Sequence, residues 1–144
     1  MKVQQISVFL ENKPGALSAM TGALAQNGID MRAFSLAEAS DFGIARVIVD
    51  DVYKTATVLK DAGFVSSVTP VVGVAIPDIP GGLHKVLELL NEEGINVEYM
   101  YAFLGGRQSQ GAYMIFRVED DKRAVAVLRS KGIRVVEAEE LEEL

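Results

Sequence analysis

The chain has 144 residues, 49% hydrophobic and 24% charged, a composition typical of a globular protein with room for one medium domain or two small ones. Its 14 basic residues stand against 20 acidic ones, and the formal charge of −6 argues against nucleic-acid binding, because phosphate contacts need clustered cations. Cysteine is absent and His84 is the one histidine, which excludes disulfides, thiolate ligands and histidine-rich metal sites and argues against a Ser-His-Asp triad.

The first half of the chain begins with a predicted strand at residues 3–10, a short segment rich in β-branched side chains. Pro14-Gly15 follows this strand, and apolar residues at helical spacing then predict a helix that ends at Gly28. The elements predicted after this helix are a strand at 30–38, a strand at 44–50, a helix at 52–62 and a strand at 64–70.

The second half repeats this order, starting with a predicted strand at 71–76. Pro80-Gly81 follows, and Leu83, Val86, Leu87 and Leu90 then form the apolar stripe of an amphipathic helix. The elements predicted next are a strand at 96–104, a strand at 112–118, a helix at 121–131 and a strand at 133–138.

An internal repeat underlies this order. Pro14-Gly15-Ala16-Leu17 reappears as Pro80-Gly81-Gly82-Leu83, and Asn27-Gly28-Ile29-Asp30 reappears as Glu93-Gly94-Ile95-Asn96. The later landmarks are displaced by a few more residues, which indicates a short insertion at Gly105-Gly106-Arg107-Gln108. The sequence therefore predicts an α+β protein of two ferredoxin-like βαββαβ units, residues 1–70 and 71–144, packed side by side with pseudo-twofold symmetry.

The loop before the first helix of each unit is the best candidate for chemistry. A helix start offers unpaired amides and the positive end of the helix dipole, and the adjacent glycine lets a carboxylate approach the backbone. Asn12 carries both a donor and an acceptor and could orient a zwitterion. The alternative is that Asn12 and Asp78 only cap their helices.

The loop Asn12-Lys13-Pro14-Gly15-Ala16-Leu17, the Gly-Ile-Asp or Gly-Ile-Asn corner and the βαββαβ order together resemble the ACT domain family. The resemblance covers essentially the whole chain as two tandem copies. It implies a non-catalytic regulatory protein that binds a free amino acid where two paired ACT domains meet, and it implies no cofactor and no metal.

The same resemblance assigns the ligand-binding residues, with a loop residue of one unit and a corner residue of the other sharing each ligand. It pairs Asn12 with Asn96 and Asp78 with Asp30, and we expect the amide pair to bind an amino acid more tightly than the carboxylate pair. The predicted binding residues are Asn12, Pro14, Gly15, Ala16, Leu17, Asp30, Asp78, Gly81, Gly82, Leu83 and Asn96.

Two further features lie outside the loops. Tyr99, Tyr101 and Phe103 alternate along one predicted strand beside Tyr113 and Ile115, which suggests either core packing or an exposed homodimer surface. We predict a homodimer on the second interpretation. The glutamates from Glu137 to Glu143 are interpreted as a solvated end, and the acidic pairs Asp50-Asp51 and Asp120-Asp121 before the second helices are interpreted as helix caps.

Other function classes stay open from the residues alone. A small enzyme on the same scaffold would need acid and base groups that converge in a cleft, and an adaptor that has lost its ligand would have closed loops. No signal peptide and no run of about 20 apolar residues is found, so we expect a cytoplasmic protein with no membrane contact.

Overall fold

A computed structural model describes residues 2–102 and 111–143 of the chain. Phe103 and the predicted insertion at Gly105-Gly106-Arg107-Gln108 lie outside the described residues. The helices and strands, in chain order, are β1 Val3–Glu11, α1 Ala16–Gln26, β2 Met31–Ala39, β3 Phe42–Val49, α2 Val52–Asp61, β4 Val65–Pro77, α3 Gly82–Glu92, β5 Val97–Ala102, β6 Gly111–Val118, α4 Asp121–Ser130, β7 Arg134–Val136 and α5 Ala138–Glu143.

The chain divides into an N-terminal unit, Gln4–Thr69, and a C-terminal unit made of Met1–Val3 and Pro70–Leu144. In the N-terminal unit the strand order is β2-β3-β1-β4, and β3 runs antiparallel to both β1 and β2. Alternate residues of β1 and β3 point to one face, where helices α1 and α2 cover them. The core residues of this unit are Ile6, Val8, Leu10, Met20, Leu24, Ile29, Ala45, Val47, Val49 and Leu59.

The C-terminal unit repeats this plan. Its strand order is β7-β4-β6-β5, all neighbours antiparallel, with α3 and α4 packed on one face of the sheet. The core residues are Val72, Val74, Ile76, Val86, Leu90, Ile95, Phe116, Val118, Ala124 and Leu128. Each unit therefore has the predicted βαββαβ order, and the α+β fold class is confirmed.

Strand β4 differs from the prediction, because the two strands expected at 64–70 and 71–76 form one strand of 13 residues. Pro70 lies inside this strand, where its fixed φ is compatible with extended backbone and its missing N–H removes one possible ladder hydrogen bond. The Pro70 carbonyl accepts a hydrogen bond of 3.1 Å from Arg117 Nη1. The division between the two units falls within β4, next to this proline.

Three residues of the aromatic stripe, Tyr101, Tyr113 and Ile115, are buried, so the prediction of an exposed surface at these three residues is wrong. Tyr101, Tyr113 and Ile115 are only 8%, 7% and 0% exposed. Small residues stand opposite two of them, since Ala75 pairs with Tyr113 and Gly73 with Ile115, and this leaves the larger side chains room to lie against the sheet. Core packing, the other interpretation of the stripe, fits these residues.

The acidic C-terminal segment also differs from the prediction. Residues Ala138–Glu143 form helix α5, and Leu141 in its middle is only 2% exposed. Arg134 and Arg129 form ion pairs with Glu140 and Glu137, which neutralise part of the acidic run. Leu141 anchors the segment, and Glu137 and Glu140 pair with cations.

Candidate functional site

The loop before α1 supplies no side-chain cap to that helix, although the Ala16 N–H donates to the Lys13 carbonyl at 3.4 Å. Gly15 adopts a left-handed conformation at φ 88°, which a residue with a side chain rarely tolerates, and no side chain accepts a hydrogen bond from the first helical amides. The loop before α3 has the same geometry, with Gly81 at φ 84° and no side-chain cap. The interpretation of Asn12 and Asp78 as helix caps is therefore wrong.

Asn12 is fixed by the turn between β2 and β3. Its backbone N–H donates to the Asp41 carbonyl at 2.9 Å, and its side-chain Nδ2 donates to the Ser40 carbonyl at 3.1 Å. Within the described part of the chain, Asn12 Oδ1 has no hydrogen-bond partner, so it is available to accept a hydrogen bond from a ligand.

Two cavities of the N-terminal unit adjoin this loop. A small cavity of about 90 Å³ is lined by Asn12, Ala16 and Leu17, with Leu36 from β2. A wider depression of about 510 Å³ is lined by Pro14, Gly15 and Ala16. All five loop residues predicted for this unit thus line one cavity or the other.

The corresponding loop of the C-terminal unit is tighter. A Cβ added at Gly82 would overlap the Pro77 carbonyl oxygen, so the backbone before α3 folds back against the start of the helix. Ala16 holds the equivalent position in the N-terminal unit, where a side chain fits. Asp78 is exposed, and Gly82 is buried.

The corner residues have different surroundings in the two units. Asp30 is exposed and forms an ion pair of 3.2 Å with Arg32, while its backbone N–H donates to Asp50 Oδ1 at 3.2 Å. Asn96 is exposed immediately before β5. Because Asp30 already has a cation beside it, its carboxylate would repel a ligand anion less than an unpaired carboxylate would.

Within each unit the loop residue and the corner residue lie at opposite ends of the sheet. In the N-terminal unit, Phe42 of β3 pairs with Glu11 beside the loop, whereas Val49 of β3 pairs with Met31 beside the corner. The seven-residue separation along β3 corresponds to roughly 23 Å. The C-terminal unit has the same layout, with Gly111 opposite Pro77 and Val118 opposite Val97.

The resolved pKa shifts lie away from both loops. A hydrogen bond from Lys2 holds the pKa of Asp121 below its ordinary value, and hydrogen bonding to Tyr113 raises the pKa of Arg134. Among the residues that the structure describes, no group of three or more histidine or acidic side chains is placed to hold a metal ion. The described helices include none that is long and apolar enough to cross a membrane.

A further cavity of about 440 Å³ lies in the C-terminal unit and contains none of the predicted site residues. It is bounded by α4 and by residues around β7 and the start of β1, such as Val3, Val125 and Val136. The apolar residues that line this cavity come from separate elements and have no regular spacing in the sequence, so no sequence motif indicates it.

Comparison with known proteins identifies the class. The family model for an ACT domain pair matches residues 1–144, so the chain belongs to the ACT domain family, whose members are typically regulatory, ligand-binding modules. Protein BT0572 from Bacteroides thetaiotaomicron is 40% identical, with a TM-score of 0.92, and the match covers 100% of this chain and 98% of that one.

Two regulatory subunits of aspartate kinase share the fold. The subunit from Thermus thermophilus is 17% identical with a TM-score of 0.65, over 90% of this chain and 93% of its own. The subunit from Thermus flavus is 20% identical with a TM-score of 0.62, over 90% of each chain. A search of the curated proteins finds no match.

Proposed function

We propose that this chain is a non-catalytic regulatory protein that binds a free amino acid through the loops before α1 and α3. The observation that carries the proposal is the N-terminal unit's loop, where a helix start without a side-chain cap and the unpartnered Oδ1 of Asn12 adjoin two cavities. Membership of a family of regulatory ligand-binding modules supports it.

In this proposal the two ends of the amino acid meet different groups. The α-carboxylate is held by backbone amides at residues 15–17 or 81–83, near the positive end of the helix dipole. The ammonium group donates to the side-chain oxygen of Asn12 or to the carboxylate of Asp78. Pro14, Leu17 and Leu83 shape the walls of the two loop sites.

A ligand that also contacts a corner residue needs two units, because loop and corner lie roughly 23 Å apart within each one. We therefore keep the proposed pairs, Asn12 with Asn96 and Asp78 with Asp30. Binding then couples two units, which is how occupancy could be passed to a regulated partner protein.

The experiment is a thermal-shift screen of the full chain against the twenty amino acids, followed by calorimetry on the strongest ligand. A ligand of the native state raises stability by RT ln(1 + [L]/Kd). Asn12→Ala removes the hydrogen bond that Oδ1 accepts from the charged ammonium group, worth about 1.5–3 kcal/mol, so the Kd should rise about ten- to a hundredfold.

Asn27→Ala is the matched control, because Asn27 is also an exposed asparagine of the N-terminal unit but its side chain donates to the Ala23 carbonyl of α1 at 2.8 Å. It should leave the Kd unchanged. If no amino acid raises the melting temperature, or if both variants bind like the parent chain, the proposal is wrong.

A further inference from the structure

The cavity of about 440 Å³ in the C-terminal unit has an aliphatic floor. Val3, Val71, Val72 and Val136 line it and are each 4% exposed or less, and Val125 of α4 forms part of its wall. The volume falls within the range of about 300–1,000 Å³ that small-molecule sites occupy. A floor of branched aliphatic side chains favours an apolar ligand body of similar size.

Two ion pairs cross the edge of this cavity. Lys2 Nζ lies 2.9 Å from Asp121 Oδ2, and Arg129 Nη2 lies 2.5 Å from Glu137 Oε1. Asp121 and Arg129 both belong to α4 and are separated by eight residues, roughly 12 Å along the helix axis. The cavity lining thus includes two acidic side chains that already have cationic partners.

Lys122 is the third cation at this edge. It is exposed and has no ion-pair partner among the described residues. Of the described residues that line the cavity, three are cations and two are carboxylates. A ligand carboxylate finds an uncommitted cation here, whereas a ligand ammonium group finds only carboxylates that are already engaged.

We infer that this cavity binds a small aliphatic monocarboxylate that lacks an ammonium group, with its hydrocarbon body on the valine floor and its carboxylate beside Lys122. The site is separate from the proposed amino-acid sites, since it shares no residue with them and lies within one unit. The inference does not depend on the proposed function.

The test uses three probes that share one carbon skeleton: 4-methylpentanoate, its neutral amide, and leucine. Calorimetry on the full chain should show saturable binding of 4-methylpentanoate that is several-fold tighter than binding of the amide. Lys122→Gln should reduce affinity for the carboxylate to that for the amide and abolish its salt dependence. Leucine should not displace 4-methylpentanoate from this cavity.

Filling the cavity separates specific binding from surface binding. Ala126 lines the cavity from α4, so Ala126→Phe should weaken 4-methylpentanoate at least tenfold. The matched control is Thr57→Phe, because Thr57 is exposed at the equivalent position of α2 in the other repeat. It adds the same ring to the same kind of helix and should leave binding unchanged.

Methyl NMR of the unmodified chain gives a readout that needs no variant to fold. Addition of 4-methylpentanoate should shift the methyl signals of Val71 and Val125 and leave those of Leu17 and Leu36 in place. Absence of saturable binding, an unchanged Kd in Ala126→Phe, or shifts confined to Leu17 and Leu36 would each overturn the inference. Loss of binding in Asn12→Ala would also overturn it, because it would place the ligand at the loop.

Discussion

At the scale of single residues, the two loops offer an amino acid different surroundings. Asn12 is held by the β2–β3 turn with its Oδ1 available, whereas Asp78 brings a negative charge to a loop that is already closed against its helix. The Pro77 carbonyl near the start of α3 adds a second group that opposes an anion. The N-terminal unit's loop is therefore the better place for an α-carboxylate.

The substitution Asp78→Asn tests this ranking. It removes a charge that repels the ligand's carboxylate and restores the amide that the other loop carries, so affinity at this loop should stay the same or rise. Two-site calorimetry with the amino acid found in the screen measures both affinities. Our assignment of the tighter site is reversed if Asp78→Asn loses affinity while Asn12→Ala does not.

The ion pair between Lys2 and Asp121 predicts a pH-dependent contribution to stability. The pKa of Asp121 is lowered from 3.8 by the hydrogen bond from Lys2, so the pair stabilises the fold above pH 3.8 and this contribution is lost as the pH falls through the lowered value. The two side chains are 48% and 19% exposed, which limits the pair to about 0.5–1 kcal/mol.

Urea unfolding of Asp121→Asn at pH 7 and at pH 2.5 measures this contribution. The variant should be less stable than the parent chain at pH 7, and the difference should shrink at pH 2.5. Lys2→Met provides the control, because in that background Asp121→Asn should change stability by the same small amount at both pH values. If Asp121→Asn lowers stability at pH 7 equally in the parent chain and in the Lys2→Met chain, the stabilising ion pair between Lys2 and Asp121 is contradicted.

Some residue roles could be predicted from sequence because they depend on neighbours along the chain. Asp51 and Asp120 cap α2 and α4 by accepting hydrogen bonds from the amides of Lys54 and Arg123, as the acidic pairs predicted. The role of Asn12 depends instead on Ser40, which lies 28 residues away, and no local pattern contains that contact. Because this contact is not visible in the local sequence, helix capping by Asn12 remained an alternative until the structure showed it to be wrong.

At the scale of elements, replacing glycine with alanine is expected to have opposite effects on stability at two positions. A Cβ at Gly82 would overlap the Pro77 carbonyl oxygen, whereas a Cβ at Gly22, within α1, would meet nothing within 4 Å. Gly82→Ala should therefore destabilise the chain by about 1–3 kcal/mol, because backbone has to move. Gly22→Ala should stabilise it by about 0.5–1 kcal/mol, since alanine is the better helix former.

Urea unfolding of both variants checks the two signs, with the slope of each transition compared to confirm that only stability has changed. The two substitutions add the same methyl group, so each controls for the other. If Gly82→Ala proves neutral, the loop before α3 is looser than the structure has it, and the ranking of the two loops loses its steric argument.

Element order could be predicted because the βαββαβ pattern occurs twice along the chain. The ends of elements were harder where tertiary packing decides them. Pro70 favoured a break between two strands, but the extended backbone continues through it, and β4 serves both units. Helix α5 was not predicted, because a run of glutamates indicates a solvated end. The burial of Leu141 depends on tertiary packing, which the local sequence does not show.

At the scale of the whole molecule, the homodimer stays a prediction, but the exposed aromatic surface that first suggested it is not found at the described residues of the stripe that are buried. Tyr101, Tyr113 and Ile115 are buried in a single chain, so they cannot form an exposed dimer surface. Light scattering at micromolar concentration decides the question, with a mass of about twice 15.5 kDa expected for a dimer. A mass of 15.5 kDa would make the monomer the binding species.

The layout of each unit leads to a prediction for hydrogen exchange. The loop and corner of one unit lie roughly 23 Å apart, so a ligand that contacts Asn12 cannot reach the corner of the same unit. If the ligand also contacts Asn96, saturating amino acid should slow amide exchange at residues 15–17 and around Asn96, while Asp30 exchanges as in the unliganded chain.

The control for this measurement is Asn12→Ala at the same ligand concentration. Loss of the Asn12 contact should remove protection from both segments together, because one ligand is responsible for both. Protection at residues 15–17 alone would mean that a single unit holds the ligand, and the proposed pairing of Asn12 with Asn96 would then be wrong. Protection that persists around Asn96 in Asn12→Ala would instead indicate two independent ligands, each bound at a separate site.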